Sequence, residues 1–200
     1  MTRSLQRFLL PSFTLLLLVI TGPQVAGQCR TPPDTGSENH LRMLVLGDSI
    51  LWGQGLRQQQ KTWFRVKCWL EETTGRIVDV TVKAHSGAIV ERSPGQTQTY
   101  SSINSEVNLP LPSVNEELDE ALQSYGNGSK VDLVLLGGCI NDVDVRNLLN
   151  ASVNTDLIRE RTRASCGAAM TRLLRRTVEA FPNAHVILSL IHISEPTRPY

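Results

Sequence analysis

The sequence predicts one α/β domain: a three-layer α/β/α sandwich around a parallel, flavodoxin-like sheet, incomplete at its carboxyl end. Three observations predict it. Short continuous apolar blocks recur along the chain, as strands buried on both faces require. Stretches compatible with helical period separate them, so that strand alternates with helix and each crossover helix can bury its apolar stripe on a sheet face. The composition, 40% hydrophobic and 20% charged over 200 residues, is that of one ordinary globular domain, placed at 41–187.

Taken in order, a polar Pro/Gly/Ser-rich linker (28–40) precedes the first strand, the run Met-Leu-Val-Leu at 43–46, which Gly47 ends. Residues 62–72 carry Trp63, Phe64, Val66, Cys68, Trp69 and Leu70 at spacings a helix accommodates, closed by Thr73, Thr74 and Gly75. Residues 77–82 form the second strand. From 91 to 112 the chain is rich in Ser, Gln, Thr and Pro, a length that in a compact domain makes a functional or mobile loop. Ser113 and Glu116 have capping-box spacing, and Leu118, Ala121 and Leu122 continue that helix's apolar face. The third strand covers 131–136, interrupted only by Asp132. A long helix over 156–181 turns Leu157, Ala164, Ala168, Leu173, Leu174 and Val178 inward, and residues 184–187 start a fourth strand.

The ends of the chain are set aside from this fold. Residues 1–27 read as a secretory signal peptide: Arg3 and Arg7 make a basic start, residues 13–20 an apolar stretch, and Val25-Ala26-Gly27 a small-residue cleavage site, so the mature chain is expected to begin near Gln28. The apolar run is short for a membrane span, Pro11 interrupts its approach, and no other segment is apolar enough to cross a bilayer. The expected address is the secretory lumen or outside the cell, in keeping with glycosylation sequons at Asn127 and Asn150. At the other end, Leu-Ser-Leu-Ile-His-Ile-Ser-Glu-Pro-Thr-Arg (188–198) resembles one reading frame of a transposon-library sequencing adapter. The tail 188–200 is therefore expected to be foreign, His192 with it, and the natural sequence to stop near Ile187.

Charge and cysteine spacing exclude several functions. A formal net charge of +1 with no Lys/Arg run gives no electrostatic basis for nucleic-acid binding. Cys29, Cys68, Cys139 and Cys166 contain no Cys-x-x-Cys pair and have no nearby histidine pair, so neither a zinc site nor a thioredoxin-type redox motif fits. In an oxidising compartment one or two disulfides are expected, with connectivity open. A phosphate-binding flavodoxin-like protein lacks its Gly-rich phosphate loop.

In sheets of this kind ligands bind beyond the carboxyl ends of the strands, and Gly47-Asp48-Ser49, Ser86-Gly87 and Asn141-Asp142 each follow a predicted strand. Strand order 2-1-3-4 makes the three segments neighbours. Gly47-Asp48-Ser49-Ile50 with Gly53 and Gly55, then Gly87, then Asn141-Asp142 resemble, in order, the first three blocks of the SGNH (GDSL-type) hydrolase family.

That resemblance implies an ester hydrolase needing no cofactor or metal, with Ser49 as catalytic nucleophile. The oxyanion hole would be the backbone amides of Ser49 and Gly87 and the side-chain amide of Asn141. Its substrates would be lipid, acetylated-glycan or small esters. On the residues alone Ser49 also fits a helix cap, Asn141-Asp142 a simple turn, and Asp48 a loop organiser. Trp52 fits an acyl pocket or core packing, and His85 a substrate contact or a loop residue without catalytic duty. The sequence departs from the family at Cys139, which stands where a glycine is expected, so that either the local geometry differs or the strand end shifts. It also lacks the Asp-x-x-His segment that supplies the base: none of His40, His85, His185 and His192 has Asp three residues before it. The expectation is a fragment that is itself inactive, with a non-catalytic ligand- or carbohydrate-binding module as the alternative.

Overall fold

The computed structural model describes residues 29–92, 113–126, 130–143, 150 and 152–189. The expected signal peptide, most of the polar loop (93–112), Asn127 and the tail from 190, including His192, lie outside them. Four parallel strands, β1 (His40–Leu46), β2 (Ile77–Val82), β3 (Leu133–Gly137) and β4 (His185–Ser189), form one sheet in the order β2-β1-β3-β4. The flavodoxin-like order expected from the sequence is the order observed. The helices are α1 (Ser49–Trp52), α2 (Thr62–Thr74), α3 (Val114–Tyr125), α4 (Ile140–Val143), α5 (Thr155–Arg161) and α6 (Ala168–Ala180), the last two joined by a π-helical stretch, Thr162–Gly167.

The alternation of β1 places its residues on two faces. Leu44 and Leu46 join Val134, Leu136, Leu118, Ala121, Leu173 and Phe181 in the larger core cluster, beneath α3 and α6. Met43 and Val45 join Leu51, Val78 and Leu135 in the smaller one, against which Trp63, Val66 and Leu70 of α2 pack. Burying a side chain of this size contributes about 1.5–3 kcal/mol, so β1, with Met43 through Leu46 all fully buried, is the element the fold is built on. The helix expected over 156–181 is present as α5, the π-helical stretch and α6, but its buried face is Cys166, Ala169, Met170, Leu173 and Thr177. Of the residues expected inward only Leu173 and Leu174 pack on the core, while Leu157, Ala164, Ala168 and Val178 are exposed, because the stripe follows the π-helical register. Among the described residues no helix is long and apolar enough to cross a membrane.

Boundaries differ from the sequence reading where backbone pairing, not hydrophobicity, sets them. β1 begins at His40, three residues early, because His40, Leu41 and Arg42 continue the ladder with Ile77, Val78 and Asp79. β3 begins late because the Asp132 carboxylate itself accepts the Arg42 amide at 2.7 Å. β4 runs two residues into the adapter-like stretch, pairing Leu188 with Leu136 and Ser189 with Gly137. Ladder bonds are made by backbone groups, so an alternating Leu-Ser pair extends a strand whatever its origin. The cysteines pair as Cys29–Cys68 and Cys139–Cys166.

Candidate active site

At the end of β1 the chain turns directly into a helix. The Asp48 carboxylate is the N-cap of α1, accepting the Ile50 amide at 2.9 Å, and Gly53, in the left-handed region at φ 74°, closes the helix after one turn. Ser49 is therefore the first helical residue, not the cap, and sits half-buried beside the strand end. Its hydroxyl makes no hydrogen bond to a described residue. Asp48 is nearly fully buried, and that desolvation pushes its carboxyl above the ordinary carboxylate value against the pull of the local amides.

Close packing fixes how α1 meets the sheet. The side chain of Leu51 lies against both Gly47 and Gly137, at the ends of neighbouring strands. A Cβ on Gly47 would come within 2.9 Å of Leu51 Cδ1 and 3.1 Å of the Gly137 carbonyl, and one on Gly137 within 2.9 Å of the same methyl. Glycine at both positions lets α1, and Ser49 with it, drop onto the strand ends. A second clamp comes from α3: the fully buried Glu117 reaches under the turn, and its Oε2 accepts the Gly47 amide at 2.6 Å. Sequence reading passed over Glu117 because a glutamate inside an amphipathic helix reads as part of its solvated face.

The exits of β2 and β3 are stitched to this turn. The His85 amide donates to the Gly47 carbonyl at 2.8 Å, which brings the segment His85 to Ala88 against the β1 exit. Gly87 has φ 82°, a conformation that glycine adopts freely. The Asn141 side-chain amide donates to the Ala88 carbonyl at 2.8 Å, and both Asp142 carboxylate oxygens accept the Val90 amide at 3.1 Å. The Asn141 bond uses one of the amide's two N–H groups and fixes its plane. Burial pushes the Asp142 carboxyl up to about 6; the Val90 amide opposes this and the neighbouring Asp48 charge adds to it.

Three of the sequence candidates are thus drawn together: Ser49, Gly87 and Asn141 occupy adjoining turns beyond β1, β2 and β3. The other two behave differently. His85, a candidate for lining substrate, is fully buried, with Nδ1 2.7 Å from the Ser86 carbonyl. Trp52 packs partly buried against the smaller core cluster, with Lys61 Nζ 3.8 Å from its ring centroid.

Cys139 resolves the departure noted in the sequence. β3 ends at Gly137 and α4 begins at Ile140, and Cys139, between them, has φ 86°, the one non-glycine residue with positive φ among those described. The backbone shape suits glycine while the residue is a cysteine, at a cost of about 1 kcal/mol or more. Its sulfur is bonded to Cys166 in the π-helical stretch.

No family model matches the sequence, and no curated protein matches it significantly. Among solved structures the chain is similar to the lipase Lip_vut3 from a goat rumen metagenome, at 18% identity and a TM-score of 0.49 over 74% of this chain and 62% of that one. It is also similar to an extracellular lipase from Streptomyces rimosus, at 15% identity and a TM-score of 0.45 over 74% of this chain and 58% of that one. The chain therefore spans about three fifths of the length of these two structures, 62% and 58%.

Proposed function

We propose that this chain belongs to a secreted serine carboxylic-ester hydrolase of SGNH type, with Ser49 as nucleophile. One observation carries the reading. Asp48 takes the capping duty at α1, and the adjacent Ser49 hydroxyl is left half-exposed with no described partner, beside the turns that hold Gly87 and Asn141.

In the reaction Ser49 Oγ attacks the ester carbonyl carbon while its proton passes to a histidine base. The amides of Ser49 and Gly87 and the Asn141 side chain hold the oxyanion, each donor contributing about 3 kcal/mol to lowering the barrier. Collapse of the intermediate expels the alcohol, which takes the proton from the base. Water then attacks the acyl-enzyme, releasing the acid and restoring the Ser49 hydroxyl. The reading requires a histidine base for Ser49, and no Asp-x-x-His segment of the kind the resemblance implies occurs among the 200 residues. The substrates are lipid, acetylated-glycan or small esters met outside the cell. Two disulfides and an exposed sequon at Asn150, the second of two with Asn127, support that address.

The test begins with the gene. Reading the locus past codon 187 from a library made without transposon adapters gives the full frame, whose secreted product is assayed against a panel of acyl esters. Hydrolysis that drops about a thousandfold or more in Ser49→Ala is expected; activity untouched by that substitution would sink the proposal. A Ser49 hydroxyl without a partner among the described residues also suits a non-catalytic carbohydrate-binding module, which would bind ligand yet leave Ser49 unlabelled by a fluorophosphonate.

A further inference from the structure

We infer that the Cys139–Cys166 disulfide is a positioning device for the candidate oxyanion side of the site: it holds Cys139 in a glycine-type backbone conformation and thereby sets the orientation of Asn141 and Asp142. The activity part of this inference rests on the proposed ester hydrolase reading; the structural part does not.

The turn between β3 and α4 consists of Gly138 and Cys139 alone. Cys139 stands at φ 86°, where an ordinary side chain is disfavoured, so a local preference does not supply this shape. α4 is four residues long, too short to keep a conformation by its own hydrogen bonds, and the Val143 amide closes it back onto the Cys139 carbonyl at 3.2 Å. The turn has little room to relax: a Cβ on Gly138 would meet Val90 Cγ2 at 3.3 Å and Met170 Cε at 3.4 Å.

What anchors the turn comes from the other side of the larger core. Cys166 is buried beside Ala169 and Met170, and the stretch carrying it, Thr162–Gly167, is π-helical. A π-helical turn takes an extra residue and is uncommon without a local reason; here it lies where the helix meets the cysteine of the site turn. Downstream of the tether come the two bonds that fix the site residues, Asn141 to the Ala88 carbonyl and Asp142 to the Val90 amide. The other disulfide, Cys29–Cys68, joins the segment before β1 to α2.

Two double variants of the full-length secreted protein separate positioning from general stapling. Cys139→Ala with Cys166→Ala removes the tether and leaves a residue that resists positive φ. Cys139→Gly with Cys166→Ala removes the same tether but restores a residue that adopts it. The alanine pair is expected to lose about tenfold or more in kcat with KM little changed, and its Val90 amide to exchange faster with solvent deuterium. The glycine pair is expected to return to within about threefold of the wild type, with Val90 protection regained. The inference is overturned if the alanine pair matches the wild type in both readouts, or if the glycine pair is as impaired as the alanine pair, which would make the disulfide a general staple. A wild type that hydrolyses no ester and takes no phosphonate label would remove the ester hydrolase reading alone, because Val90 exchange in the two pairs still decides the positioning role.

Discussion

Two glutamates, Glu71 on α2 and Glu117 on α3, are buried against opposite faces of the sheet, and each accepts a backbone amide hydrogen with its carboxylate. Glu71 does so at the far end, where Oε1 takes the Val78 amide at the start of β2 at 3.1 Å and the Lys67 ammonium at 2.5 Å. Glu117 does so at the carboxyl end, holding Gly47 two residues before the candidate nucleophile. A buried carboxylate is costly wherever it sits, and the charge-assisted bonds to Glu71 Oε1 and Glu117 Oε2 offset part of that cost. The difference lies in what each bond fixes: Glu71 ties a helix to a strand, whereas Glu117 ties a helix to the turn that aims Ser49. The same device serves packing at one end and geometry at the other.

Removing the two carboxylates gives the largest effects and the sharpest contrast. Glu117→Ala leaves the Gly47 amide buried without its acceptor and is expected to cost about 3 kcal/mol, read as a lowered denaturation midpoint. Glu71→Ala is expected to cost about 2 kcal/mol, since Lys67 can turn toward solvent. Only the first should slow fluorophosphonate labelling of Ser49 in the full-length protein. Equal slowing by both would dissolve the distinction between the two ends.

A smaller effect is expected from Gly47→Ala, whose Cβ would press on Leu51 Cδ1 and on the fixed Gly137 carbonyl in addition to the strain of its φ of 155°. Overpacking of this kind costs about 1–3 kcal/mol. Because Leu51 must move to relieve it, α1 should tilt, and labelling of Ser49 should fall more than stability does. Gly75→Ala, at the far end of α2, is the control: its Cβ would meet nothing within 4 Å, and only the positive φ of 67° is strained. Labelling that survives in Gly47→Ala and fails in Gly75→Ala would reverse the assignment of ends.

These contrasts also mark what was legible beforehand. The apolar block at 43–46 and the turn chemistry of Gly47-Asp48-Ser49 announce themselves locally, since strand burial and helix capping depend on adjacent residues, and the strand order is the one a flavodoxin-like alternation of strand and helix expects. The Ser113 cap was legible for the same reason: its hydroxyl accepts the Glu116 amide at 3.3 Å. The capping box differs in one partner, because the Glu116 carboxylate takes the Ser113 hydroxyl and pairs with Arg92. The clamps on the site were not legible. Glu117 meets Gly47 across 70 positions and Cys139 meets Cys166 across 27, and nothing in either neighbourhood names its partner. Cys139 looked like a flaw in a glycine motif because residue type was visible and its φ was not.

Titration separates the two ends by cause, with the smallest expected effect. At the site end burial pushes the Asp142 carboxyl up from 3.8 to about 6, so between those values the folded chain keeps a proton that the unfolded chain has released. That contribution is fully present below about pH 3.8 and is lost as pH rises through about 6. At the far end His40, partly buried at the start of β1, is pushed up by its bonds to Asp79, at 2.8 Å, and to Asp34, at 3.4 Å; its contribution is present below its ordinary value of 6.5 and fades as pH rises past its raised one. The first effect comes from desolvation and the second from surface pairing, so added salt should weaken the His40 contribution and leave that of Asp142 standing. Denaturation midpoints of the wild type minus those of Asp142→Asn should fall between about pH 4 and 6 at both low and high salt. A difference that vanishes in salt would mean that Asp142 is a surface charge like His40, and that the turn carrying Asn141 is open to water.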